Sequence, residues 1–123
     1  MSLVRRTIFV RDERMVDGVT ILTLRHDFLE NGEFLLKHRV DLLASEGRGR
    51  ILLDLGQMAN VDSADIGRLI RAHLAVRRAG GRIHLCRVSP GVRSLLTMTR
   101  LDTVFDLHDT EDEGILALKR SPL

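Results

Sequence analysis

The residues best suited to chemistry are Asp62-Ser63-Ala64-Asp65, where a strand-like apolar run gives way to a helical pattern. The first turn of a helix presents unpaired N–H groups and the positive end of the helix dipole. Ser63 is therefore predicted to be the N-cap of this helix. The same position would suit a phosphate on the Ser63 hydroxyl, because a charge of about −1.5 to −2 at pH 7 can create or abolish a protein interface. The residues by themselves leave both roles open.

Other chemistries find little support in the sequence. Zinc sites place histidines and cysteines at short, fixed spacings, whereas the five histidines here are dispersed and none lies at ligand spacing from Cys86. The chain also lacks a nucleophile elbow and a glycine-rich phosphate loop. We therefore expect no metal, no cofactor and no enzymatic activity. We interpret His73 as a residue at the core boundary and Cys86 as a small buried hydrophobe.

One enzyme-like alternative uses Asp54 as the phosphoacceptor of a receiver domain. Residues 11–13 (Arg-Asp-Glu) could imitate the acidic pair that binds Mg²⁺ in such a domain. However, the second half of the chain offers only Lys119 to stabilise a phosphoryl group, and it falls in the last predicted helix. A β-rich run at 19–24 also stands where a receiver domain has a helix. Asp54 is better interpreted as a strand-end residue that caps a neighbouring turn.

The charge balance argues against nucleic acid as a partner. The formal net charge is only +2, and the chain has four Phe but no Trp or Tyr to stack on bases. Residues 68–100 include arginines and no acid, whereas 102–113 include acids and no arginine or lysine. We interpret these patches as two solvated faces whose charges offset each other, although opposed patches also suit docking to a protein. No signal peptide and no apolar run near the ~20 residues of a membrane span are evident, so we expect a cytoplasmic protein.

The serine turn must be positioned by the surrounding strands and helices. Apolar runs predict strands at residues 8–10, 19–24, 51–55, 82–86 and 103–105. Helical periodicity and cap residues predict four helices, starting after Asp27, near Ser63, at Pro90 after Ser89, and after Thr110. Gly47 and Gly80-Gly81 are predicted to end the first two helices. The order β-β-α-β-α-β-α-β-α predicts a single α/β domain over residues 1–123, with a mainly parallel sheet and an antiparallel opening hairpin.

The stretch from Ile51 to Leu118 resembles the STAS domain of bacterial anti-sigma-factor antagonists. With the strand at 18–24 included, the resemblance covers most of the chain, and the STAS mixed sheet agrees with the element order predicted above. The order and spacing of several motifs carry it. These motifs are ILLDL at 51–55, NVDSA at 60–64, IGRL at 66–69, RRAGGRI at 77–83, SPGVRSLL at 89–96 and TRLDTVF at 99–105.

The resemblance implies that the protein acts by partner switching. The unmodified antagonist would bind an anti-sigma factor that is a serine kinase of the GHKL type, and so free a sigma factor for transcription. Phosphorylation of Ser63 would release the antagonist, and a phosphatase would reset it. Asp62 would orient the turn. A weak homodimer is a separate prediction for this chain. The predicted partner-binding residues are Asp62, Ser63, Ala64, Asp65, Arg68, Arg71 and Arg78.

The sequence departs from the family at Asp65, where a glycine is usual. An acid is locally favourable in the first turn of a helix, but it places a fixed negative charge beside the acceptor hydroxyl. A STAS protein without a phospho-switch is therefore an alternative. It would be an adaptor subunit of a lipid-transport ATPase or a sensory assembly. A sulfate-transporter tail is disfavoured by the short chain and the lack of spans.

Overall fold

The computed structural model describes residues 5–29 and 35–122, which form one mixed sheet with α-helices on both faces. The five strands lie side by side in chain order; the first pair is antiparallel and the other pairs are parallel. The predicted order of strands and helices is confirmed. The elements are β1 (Arg5–Val16), β2 (Val19–Leu29), α1 (Leu36–Ser45), β3 (Arg50–Asp54), α2 (Ser63–Arg78), β4 (Arg82–Cys86), α3 (Pro90–Met98), β5 (Asp106–His108) and α4 (Glu111–Arg120).

The helices cover the two faces of the sheet unequally. Helices α1, α2 and α3 pack on one face, over a core that includes Leu22, Leu53 and Leu85. Helix α4 packs on the opposite face, where Ile115 and Leu118 contact the other side chains of the central strands. Strand β3 is consequently buried on both faces, which explains its continuous apolar sequence.

The first strand is longer than the segment predicted for it, residues 8–10. It spans Arg5–Val16, with a bulge after Val10 that leaves Arg11 without a partner in β2. The hydropathy pattern misses its second half because charged side chains there form ion pairs instead of a buried stripe. Arg14 donates two hydrogen bonds of 2.7 Å to Glu111, and Glu13 accepts one of 2.6 Å from Arg39.

The prediction that Asp27 caps the first helix is wrong. Strand β2 continues to Leu29, and Asp27 pairs with Thr7 across the hairpin. Helix α1 begins only at Leu36, with no side-chain cap, while predicted helical residues 30–34 lie outside the described ranges. Cross-strand pairing with the long β1 therefore overrides the local cap signal.

The predicted last strand at 103–105 is also displaced. Residues Leu101–Thr103 form a 3₁₀ turn, and β5 starts at Asp106. The Phe105 N–H donates to the Leu101 carbonyl at 2.9 Å, and its side chain is buried beside His73. The backbone N–H of Phe105 is therefore used in this turn and does not take part in strand pairing.

Most helix termini follow the predicted signals. Ser89 caps α3 with Pro90 at its first position, and the Thr110 side chain accepts from the Glu113 N–H at 3.1 Å. Gly47 and Gly80 follow α1 and α2 with positive φ angles, as glycines that end helices commonly do. In the described ranges, no helix has the length and apolar character needed to cross a bilayer.

The start of β3 and the start of β4 approach so closely that only glycines fit. A Cβ on Gly81 would lie 2.6 Å from the Gly49 carbonyl oxygen and 2.7 Å from Val76 Cγ1. We predict that Gly81→Ala lowers the free energy of unfolding by about 1–3 kcal/mol, as expected for overpacking. Urea denaturation followed by circular dichroism would measure it.

The matched control is Gly91→Ala in the first turn of α3, where a Cβ would meet only the Ala59 carbonyl oxygen at 3.9 Å. Alanine favours helix by up to about 1 kcal/mol over glycine, so this variant should be as stable as the wild type or more so. Equal destabilisation by both substitutions would contradict the close approach of the two strands.

Candidate functional site

The serine turn forms the N-terminus of α2 and is closed by a reciprocal capping box. Asp62 is the N-cap: its Oδ1 accepts from the Asp65 N–H at 2.8 Å, and Asp65 Oδ2 accepts from the Asp62 N–H at 3.0 Å. The prediction that Ser63 is the N-cap is therefore wrong. Aspartate caps at least as well as serine, and Asp62 also gains the return bond from Asp65.

Ser63 is instead the first residue of the helix, and its side chain faces solvent. Both Ser63 and the following Ala64 are exposed. In the part of the chain that the structure describes, the Ser63 hydroxyl has no hydrogen-bond partner. The side chain thus contributes little to the turn and is accessible to another protein.

Asp65 points the other way, into the protein. Its side chain is 1% exposed, with Oδ2 2.7 Å from Nε2 of His26 and Oδ1 3.1 Å from an Arg68 nitrogen. The expected fixed negative charge beside the acceptor hydroxyl is therefore not exposed there. It is buried beneath the turn, where burial without such partners would be costly.

Arg6 completes the cluster from β1 and determines the state of His26. Its NH2 group lies 2.8 Å from His26 Nδ1, and its NH1 group lies 3.5 Å from Asp62 Oδ2 and 3.9 Å from Asp65 Oδ2. A guanidinium can only donate, so His26 Nδ1 accepts and Nε2 carries the proton that is donated to Asp65. His26 thus bridges Arg6 and Asp65 through its two ring nitrogens.

The electrostatics of the turn follow from these contacts. The pKa of Asp62 is lowered, first by the hydrogen bond from the Asp65 N–H and then by the positive charges of Arg6 and Arg68. Asp62 therefore remains an anion through the neutral range. The turn presents the accessible Ser63 hydroxyl. The exposed carboxylate of Asp62 lies on one side of it, and the buried carboxylate of Asp65, which contacts His26 and Arg68, lies on the other.

Arg6 and His26 are functional candidates that the sequence analysis missed. In β2, His26 follows Leu22 and Leu24 at spacings of two, so strand alternation would have placed it on the face covered by helices. That signal was hidden because the segment was predicted to leave the sheet at Asp27. Arg6 carries no comparable signal, since its role depends on pairing across the hairpin.

The three predicted arginines lie along α2 in different settings. Arg68 is half-buried and bound to Asp65, whereas Arg71 and Arg78 are exposed. Leu74, which is 45% exposed, stands between the two exposed arginines. Together with Lys37 and Asp41 of α1, these residues border an open groove of about 410 Å³. The far half of α2 thus offers a basic surface with an apolar centre.

Asp54, the acid of the receiver-type alternative, is inaccessible. It is 1% exposed, accepts from the Gly56 N–H at 2.8 Å and pairs with Arg87 at 3.1 Å. Burial raises its pKa, and a hydrogen bond with Glu111 raises it further. The interpretation as a turn-capping residue at the strand end is confirmed. Among the described residues, no group of three or more His, Cys, Asp or Glu could hold a metal ion.

The capping assignment predicts different effects of removing the two neighbouring side chains. Asp62→Ala should lower the urea midpoint because it leaves an N–H of the first turn without its acceptor. Ser63→Ala should leave the midpoint within experimental error, because the hydroxyl has no partner. If Ser63→Ala lost as much stability as Asp62→Ala, the assignment of Asp62 as the capping residue would be contradicted.

The contact between His26 and Asp65 predicts strong coupling between β2 and α2. Asp65→Ala should cost about 3 kcal/mol, because it leaves the partly buried donors of His26 and Arg68 without their acceptor. In a His26→Ala background the same change should cost about 1 kcal/mol less, which a double-mutant cycle by chemical denaturation would detect. Additive losses would show that the two side chains do not interact.

The chain is similar to proteins of a known family. A profile described as the STAS domain matches residues 12–114. The chain is 26% identical over 108 residues to a Thermotoga maritima protein named "Putative anti-sigma factor antagonist", a match that spans 87% of this chain and 96% of that one.

Solved structures agree on the fold. A Thermotoga maritima protein with the same description superposes with a TM-score of 0.73 at 24% identity, covering 89% of this chain and 94% of that one. An anti-sigma factor antagonist from Mycobacterium paratuberculosis gives a TM-score of 0.72 at 18% identity, covering 92% and 95%. At these identities the likeness shows the fold alone. The family profile, however, runs from β1 into α4 and includes the serine turn, so this chain belongs to the STAS domain family.

Proposed function

We propose that the protein is an anti-sigma-factor antagonist that works by partner switching, with Ser63 as its phosphorylation site. The unmodified chain binds an anti-sigma factor that is a GHKL-type serine kinase, and phosphorylation of Ser63 by that kinase ends the complex. The observation that carries this proposal is the exposed Ser63 hydroxyl, which has no partner among the described residues, on a turn that Asp62 and Asp65 hold in place.

The design of the turn supports a role as a kinase substrate. A kinase must bring the acceptor hydroxyl in line with the phosphoryl group, and a preorganised turn lowers the entropic cost of that alignment. Ser63 supplies the hydroxyl, while the kinase supplies the base, the metal and the nucleotide. The protein therefore acts as a binding partner and substrate, and not as an enzyme.

The partner surface includes the turn and the outer face of α2. Asp62, Ser63 and Ala64 are exposed at its start. Asp65 contributes from beneath by holding the turn. Arg68, Arg71 and Arg78 continue the surface toward the other end of the helix, and their charges favour a partner with acidic side chains opposite α2. A phosphate at Ser63 would add negative charge to this interface and weaken it.

The experiment compares capture by immobilised wild type, Ser63→Ala, Ser63→Asp and Ser94→Asp proteins from lysate of the native host. We expect wild type and Ser63→Ala to retain a GHKL-type kinase or anti-sigma factor, and Ser63→Asp to lose it. Ser94→Asp is the matched control, since it adds the same charge to an exposed serine of α3 outside the proposed surface. The captured kinase with ATP should then phosphorylate wild type at residue 63, as read by mass spectrometry.

Equal retention of one partner by all four proteins would contradict the switch. The protein would then be better described as a constitutive STAS adaptor of another assembly, with Ser63 outside its interface. Loss of the partner in Ser94→Asp as well would indicate a general effect of added negative charge and not a specific role of Ser63.

A further inference from the structure

Arg6 lies beside the serine turn and has no role in the proposed function. It comes from β1, far from α2 in sequence, and its side chain is 39% exposed. It donates to His26 at 2.8 Å but approaches the Asp62 and Asp65 carboxylates only at 3.5 and 3.9 Å. Among the described residues, its short contact is to an uncharged ring nitrogen, and the two carboxylates lie farther away.

We propose that Arg6 receives the phosphate on Ser63 and that, in moving to it, Arg6 releases His26 and loosens the link between β2 and the start of α2. This inference rests on Ser63 being phosphorylated, and it names the residue within the same chain that responds. It makes Arg6 a positioning residue in both states. In the unmodified state it positions His26, and in the modified state it positions the phosphoserine.

The competition for Arg6 favours the phosphate. Phosphoserine carries a charge of about −1.5 to −2 and three acceptor oxygens, and a guanidinium can bind two of them at once. The present partners offer one neutral nitrogen at 2.8 Å and a carboxylate at 3.5 Å on Asp62, the residue adjacent to Ser63. Since Arg6 already lies beside that neighbour, the movement that the proposal requires is a change of its side-chain torsions.

Arg68 is less free to respond. It is 27% exposed and bound at 3.1 Å to the buried Asp65 carboxylate, which would lose its nearest full positive charge if Arg68 moved. Leaving a buried carboxylate without a charged partner is costly. The mobile cation of the cluster is therefore Arg6, and the fixed one is Arg68.

The loss of Arg6 changes His26 as well. The Arg6 guanidinium holds Nδ1 as an acceptor and so keeps the proton on Nε2, where it binds Asp65 at 2.7 Å. Without that donor, either ring nitrogen can carry the proton, and one of the two tautomers has no proton to donate to Asp65. Phosphorylation would thus alter the end of the β1–β2 hairpin in addition to the charge of the turn.

The test uses the full chain with phosphoserine incorporated at position 63 during translation, so that neither kinase nor partner is needed. The second pKa of the phosphate is measured by ³¹P NMR titration in four backgrounds: wild type, Arg6→Gln, Arg6→Lys and Arg11→Gln. Arg11 is the control because it is exposed on the same strand, at the bulge and about 16 Å further along.

We expect the phosphate pKa to be about 0.5 units or more higher in Arg6→Gln than in wild type, because a nearby cation stabilises the dianion. Arg6→Lys should restore part of the difference, and Arg11→Gln should match wild type. The same phosphate pKa in Arg6→Gln and wild type would overturn the proposal. Amide spectra of each variant establish that it is folded.

A second readout follows His26 through the ¹⁵N shifts of its ring. In the unmodified protein we expect a single neutral tautomer protonated at Nε2, and after phosphoserine incorporation a mixture of tautomers or a changed protonation state. Unchanged His26 shifts on modification would overturn the release of His26. Because both readouts use phosphoserine already in place, they succeed or fail independently of whether an anti-sigma factor binds this protein.

Discussion

Asp65 has almost no access to water, so its negative charge depends on donors that the protein itself supplies. Those donors come from separate parts of the chain: the Asp62 backbone, His26 of β2 and Arg68 one turn further along α2. Because a buried carboxylate is stable only when such partners are in place, the start of α2 has one preferred position relative to β2. The location of Ser63 follows directly from that position.

The hairpin is what brings His26 to this point. Strand β2 pairs with β3 only over Thr20–Thr23, yet it continues to Leu29 with β1 as its partner. The hairpin therefore extends beyond the parallel sheet and carries His26 and Arg6 over the N-terminus of α2. A shorter hairpin of the length suggested by hydropathy would leave Asp65 without two of its contacts. The length of β1 is thus tied to the geometry of the serine turn.

The two buried acids of the protein illustrate how environment decides chemistry. Asp54 and Asp65 are both 1% exposed, but Asp54 lies beside another acid, Glu111, and its pKa is raised by burial and by that contact. Asp65 is surrounded by donors and a cation from α2. Asp54 helps to close the loop after β3 and to attach α4, whereas Asp65 positions an exposed hydroxyl. Neither acid is accessible to a phosphoryl donor.

The order of the elements, the mixed and mainly parallel sheet, and a helix after the Asp62–Asp65 turn can all be predicted from the amino-acid sequence. Those features depend on local signals: apolar runs in β3 and β4, and glycines or cap residues at helix ends. Three features depend on tertiary packing: the residue that caps α2, the direction in which Asp65 points, and the distant side chains that contact Asp65. Strand β1 pairs through its backbone and ion pairs, so its length leaves no hydropathy signal. The contacts of Arg6 and His26 with α2 join residues far apart in sequence, and no local pattern encodes such contacts because packing alone brings them together.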